Sequence, residues 1–267
     1  MIFGFESRPI WVSVILGCIY AISISWNINS VSHNFIHTPY FKNPWLNYAF
    51  SWLESITVGF SQTYYDWIHT RHHIGNSDRQ DKKSDTIDWL SIYRHGKNGK
   101  PESVWAYSLL NFFRDNMGDV HNAIAKRDKF DANWGRFELC SLITIAIGAA
   151  IYDWRAVLFY LPFYYIGNCL SSLNGYYEHL NSNPDKPIAW GVSTYNRLYN
   201  WLWFYNGYHA EHHSRPRMHW TKLKSFHKQI ANDQRQNGVH VISTCHALGF
   251  LAKENNKNPF GSSKKAA

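Results

Sequence analysis

Nine histidines fall in a pattern able to hold metal. His33 and His37 form an HxxxH, His69, His72 and His73 an HxxHH, and His209, His212 and His213 a second HxxHH. His179 stands alone in Asn174-Gly-Tyr-Tyr-Glu-His179. On a helix, residues three and four apart share a face. An HxxxH therefore aims two imidazoles the same way, and the first histidine of an HxxHH shares a face with each of the other two. Three such elements plus His179 offer nine ligands, too many for one ion and suited to two.

Imidazole binds iron, zinc, copper and nickel alike. Zinc is held by four ligands in a tetrahedron, whereas iron takes more and does redox chemistry. Soluble di-iron proteins use Glu and Glu-x-x-His pairs; here glutamate is scarce near the histidines except at Glu178 and Glu211. The competing class is a non-redox zinc hydrolase or transporter. The chain has no HExxH to supply a hydrolase base. Transport sites place ionisable groups inside spanning helices, and these boxes lie just outside the apolar runs. One HxxxH alone is weak evidence; the set is specific. His95, His121, His219, His227, His240 and His246 are isolated in polar or basic surroundings and read as solvated surface residues.

The elements that must position the boxes are apolar runs. Pro9 to Trp26 carries no charge and is long enough to cross a bilayer core of ~30 Å. Leu139–Tyr152 and Val157–Leu173 are separated by Asp153 and Arg155, which predicts a transmembrane hairpin. The run from Trp45 to Tyr65 is interrupted by Glu54 and reads as either a span or an interfacial helix. Polar stretches fill 66–135 and follow Asn174, and residues 256–267 have the composition of a flexible tail.

Composition agrees. Aromatics make up 17% of the 267 residues, which suits a protein at a membrane interface. Mean hydropathy is −0.39, so the apolar residues are concentrated in few segments. The net charge of +8 is scattered through the polar stretches, which fits loops facing anionic lipid better than nucleic-acid binding. Cys18, Cys140, Cys169 and Cys245 form no CxxC pair, which excludes a disulfide framework, a rubredoxin site or a ferredoxin run. No cleavable signal is evident. Compact size and the lack of organelle signals point to a bacterial inner membrane.

With its boxes in the order HxxxH, HxxHH and distant HxxHH, the chain resembles the membrane fatty-acid desaturase and alkane hydroxylase superfamily. The stretch Asn206-Gly-Tyr-His209-Ala-Glu-His212-His213-Ser-Arg-Pro216 has that family's last-box surroundings, and Glu178-His179 is similar to its extra ligand after the hairpin. The match departs where Leu180-Asn181 replaces Tyr-Gly and where Asn174 lies one residue too far away. The resemblance implies an all-α integral-membrane domain over 1–267. It implies two non-heme iron ions on His33, His37, His69, His72, His73, His179, His209, His212 and His213, with O2 as co-substrate. A lipid acyl chain would be desaturated or, on the same site, hydroxylated.

All boxes must then lie on one side of the membrane. The 45–65 run becomes interfacial, and spans at about 10–27, 138–152 and 156–173 give three crossings with a cytoplasmic cap of 66–135 and 174–255. Glu178, Glu211, Asn174, Asp66, Asp85 and Asp88 are candidates to orient the imidazoles, the three aspartates reading rather as solvated charges. Trp201, Trp203, Phe204 and Tyr205, just before the last box, read equally as an interfacial belt or a pocket wall. Electrons would come from a separate ferredoxin, rubredoxin or cytochrome b5 type of partner, because the chain carries no such centre.

Overall fold

A computed structural model describes residues 1–75, 86–183 and 185–252. The described chain is predominantly helical. Helix α1 (Ile10–Asn27) passes without interruption through a π-helical turn at Ile28–Ser32 into α2 (His33–His37), so the first box ends a helix of 28 residues. Single π turns inside α-helices recur at functional sites, and this one sits directly before His33.

The stretch expected as one interfacial helix over 45–65 is instead two. Helix α3 (Pro44–Val58) starts with Asn43 accepting a hydrogen bond from Trp45 N and ends at Gly59, whose φ of 82° is left-handed. Helix α4 (Gln62–Gly75) then carries the second box. Only glycine fits at the break: the Tyr164 ring would lie 2.5 Å from a Cβ there, and its hydroxyl donates to Gly59 O at 2.9 Å. Hydropathy alone did not register this turn, because Gly59-Phe60 continues the apolar run.

Short helices α5 (Val104–Leu110) and α6 (Met117–Ala125) lead to α7 (Lys129–His179). The helix begins nine residues before the predicted span, where Asp128 caps Phe130 N and Asp131 N. Asp153, with extended backbone, breaks it in two. Glu138 on the first arm accepts from Ser61, while Tyr164 on the second bonds Gly59. In a straight helix those two residues would be roughly 39 Å apart at 1.5 Å per residue, so the arms must fold back at Asp153. Asp153 itself restarts the second arm by accepting from Ala156 N. This is the hairpin expected from Asp153 and Arg155.

The second arm runs parallel to α1. Arg155 pairs with Glu6, Phe163 packs on Gly17, and Asn29 bonds Ser171, in step along both helices. At Gly167 a Cβ would stand 2.7 Å from Ala21 O, so glycine permits this close approach. The two long helices, Ile10–His37 and Lys129–His179, are apolar enough to cross a membrane. Their outer faces expose Trp11, Ile15, Ile19, Ile143, Ile147, Ile151 and Leu158, an uncovered apolar surface of the kind that faces lipid.

At the start of α7, Tyr64 and Ile68 of α4 pack on Val120, Ile124 and Ala132, each Val or Ile contributing about 1.5–3 kcal/mol by burial. Helices α8 (Arg197–Leu202), α9 (His209–Ser214) and α10 (Leu223–Gln236) complete the cap. The fold is not purely helical: β1 (Val192–Ser193) pairs in parallel with β2 (His240–Val241) beside the last box. A final 3-10 segment, His246–Leu251, lies against α7. The predicted tail, 256–267, lies outside the described residues.

Candidate metal centre

Four separate elements deliver the nine histidines to one place. His33 and His37 come from α2, His69, His72 and His73 from α4, His179 from the last turn of α7, and the last three from α9. They form two groups, His33, His37, His69, His73 and His212 in one, and His72, His179, His209 and His213 in the other. Within each group, one ligating nitrogen per residue lies within 4.8 Å of all the rest. The four-membered group is buried throughout, whereas His37 and His73 of the other are only partly covered.

The donor set fits metal better than it fits hydrogen bonding. Nε2 of His212 is 2.8 Å from Nε2 of His33 and 3.1 Å from Nε2 of His73, which is 3.0 Å from Nε2 of His69. Each neutral ring nitrogen offers one proton or one lone pair, so at most two of these three contacts can be hydrogen bonds. In the second group, Nε2 of His209 and His179 are 3.0 Å apart. His37 Nε2 and both nitrogens of His213 are buried with no partner among the described residues. Burial, with neighbouring histidines adding to it, holds His69, His73, His209, His212 and His213 well below the usual imidazole pKa. They are therefore neutral, the form that ligates.

A second layer supports the four-membered group. Asp88, 2% exposed, lies 2.9 Å from His72 Nδ1 and is fixed by accepting from Leu90 N. It is not the solvated charge its sequence surroundings suggest. It accepts the hydrogen bond of Nδ1–H and so leaves the Nε2 lone pair to face the other ligands. Glu178 stands 3.8 Å from His209 Nδ1 and is held by the amides of Asn174 at 2.8 Å and Asn206 at 2.6 Å. Asn174 thus acts through Glu178.

Glu211 is fully buried but touches no box imidazole: Ser193, Tyr195 and His227 Nδ1 donate to it at 2.8, 2.9 and 2.6 Å. Asp66 is exposed and, among the described residues, accepts from Thr70 and from no imidazole; Asp85 lies outside the described residues.

Three of the isolated histidines are engaged by the fold. His246 is fully buried, donates Nε2–H to Val192 O at 2.9 Å, and faces Tyr199 and Glu178 with Nδ1. Burial pushes it down to about 4. His227 pairs with Glu211, and His121 bonds the Tyr64 hydroxyl at 2.9 Å. His95 and His219 are exposed as expected, and His240 is half-buried in β2. His227 and His246 carry no spacing signal; only the fold brings them in.

A cavity of about 370 Å3 opens beside His33, His69, His72, His179 and His209, bounded by α4, α5 and the second arm of α7. Trp201, Trp203, Phe204 and Tyr205 are not among its lining residues; Trp201 is largely exposed, and Phe204 stacks on Trp220.

The fatty acid desaturase family model matches residues 9–244, spanning all nine histidines. The chain belongs to that family. A sphingolipid delta(4)-desaturase DES1-like protein of Oryza sativa subsp. japonica is 26% identical to this desaturase-family chain over 245 residues, covering 90% of it and 69% of the rice protein. No solved structure matches. Family and relative mark the protein as an oxidoreductase of lipid metabolism.

Proposed function

We propose that the nine histidines hold two iron ions and that the protein uses O2 to desaturate the hydrocarbon chain of a lipid. The observation that carries this reading is the convergence of two all-imidazole groups beside one cavity. Iron bound there would supply the oxidant that removes hydrogen from an unactivated C–H bond. The chain's own residues do the rest. Asp88 fixes the tautomer of His72, and Glu178 and its two amides stand behind His209. Hydroxylation on the same site is the second reading, favoured by the Glu178-His179 pair. A zinc protein is the weaker one, since five imidazoles in one group exceed a tetrahedral set.

Three crossings, by α1 and the two arms of α7, would place every box on one face, which we assign to the cytoplasm. Electrons would arrive from a separate carrier. A groove lined by Thr38, Arg215, Arg217, Met218, His219 and Lys222 lies between the first and last boxes and suits an acidic one. Metal analysis of detergent-purified protein tests the centre: about two irons per chain, with the content lowered in His72→Ala and in His212→Ala, support it. Zinc, or metal indifferent to both variants, overturns it. Product analysis after supply of electrons and O2 then separates an alkene from an alcohol.

A further inference from the structure

The wall of the cavity is more polar than a bare hydrocarbon chain requires. Among the polar residues that line it are Asn29, Tyr65, Asn111, Asn168, Ser171 and Ser172. Asn29 lies one turn before His33, and Ser172 and Asn168 lie seven and eleven residues before His179, or roughly 10 and 16 Å along the helix. Hydrogen-bonding groups thus begin beside the histidines and continue along the second arm of α7.

Their bonding capacity is largely unspent among the described residues. Asn29 is 6% exposed and uses its amide N–H groups on Ser25 O and Ser171 Oγ, leaving its carbonyl oxygen free. Asn168, 7% exposed, donates to Tyr164 O and likewise keeps its carbonyl. Ser171 accepts from Asn29 and retains its proton. Both asparagines line the cavity, and neither carbonyl has a partner among the described residues. The side chains of Tyr65, Asn111 and Ser172 make no hydrogen bond within the described chain. Closing a saturated chain over these groups would strand them, at about 1–3 kcal/mol for each one desolvated without a partner. A lipid bearing both donors and acceptors would pair them.

We infer that the substrate carries hydroxyl or amide groups close to the carbon to be oxidised, as an N-acyl amino alcohol does, and that Asn29, Asn168 and Ser172 select for them. This rests on the oxidoreductase reading above and narrows it from any acyl chain to a polar lipid backbone.

Binding tests it apart from catalysis. The probes are a long-chain N-acyl amino diol and a fatty acid methyl ester of matched chain length. Each is titrated into the iron-loaded full chain in micelles, and apparent Kd is read from ligand-dependent thermal stabilisation. The amino diol is expected to bind at least tenfold more tightly. In Asn168→Leu that preference should fall toward unity, with ester binding retained or improved. Ser172→Ala, a mild change that keeps the helix, should reduce it about threefold. Equal binding of the two probes, or a preference untouched by both variants, overturns the inference. If the ester alone is bound and converted to an alkene, the inference fails while the desaturase reading stands. Protein that binds no iron defeats the underlying reading instead.

Discussion

The two histidine groups differ in how they are built. Each draws on three elements, but the five-membered group includes two partly exposed rings and has no carboxylate paired with any member among the described residues. The four-membered group is wholly buried and is backed by Asp88 at His72 and by Glu178 near His209. One position gains from ligand number, the other from support behind fewer ligands. An ion with five neutral ligands tolerates the loss of one better than an ion with four, and carboxylates matter most where ligands are fewest.

Truncating one ligand in each group sharpens that contrast most. His72→Ala leaves three imidazoles in its group and should abolish turnover and remove about half the iron. His73→Ala leaves four and should lose less, by metal analysis of equally loaded protein. Equal loss from both would break the comparison. Asp88→Asn should come next, weakening iron retention about 10–100-fold against a chelator, while the histidines stay in place. Indifference to that change would mean that the group needs no outer support.

Glu211→Gln should behave differently, because Glu211 supports the fold around α9 and not a ligand. It weakens one buried and two partly buried hydrogen bonds and should cost about 1–3 kcal/mol of stability, seen as a lower melting temperature with iron content nearly unchanged. The smallest effect concerns His246 in metal-free protein. Its folded pKa of about 4 lies below the unfolded value of about 6.5, so the unfolded chain takes up the proton first. Stability is then lost as pH falls from about 6.5 toward 4 and is level above that window. His246→Gln should flatten the slope by about 1.4 kcal/mol per pH unit, measured by melting at pH 7.5 and pH 5.5.

The boxes and the hairpin were legible because both are local. Spacing of three and four places imidazoles on one helix face, and Asp153 with Arg155 interrupts an apolar run in a way composition reveals. The turn at Gly59 was hidden because its signal is one glycine among aromatics, and its need arises from Tyr164, 105 positions away. Asp88 looked solvated because nearby Lys and Asp residues made it one charge among many. His246 and His227 were misjudged for the same reason: burial of an isolated histidine depends on what folds over it.

That last point bears on where this protein can be cut. Similarity to its family stops at residue 244, and a boundary drawn there would retain every metal-binding motif. It would also discard His246 and the amide of Ala247, which donates to Asn174 at 3.1 Å, the residue that holds Glu178. A shortened or chimeric chain ending at that boundary would be complete by homology and unsupported behind His209. For this protein the unit of inheritance and the unit of folding end at different residues.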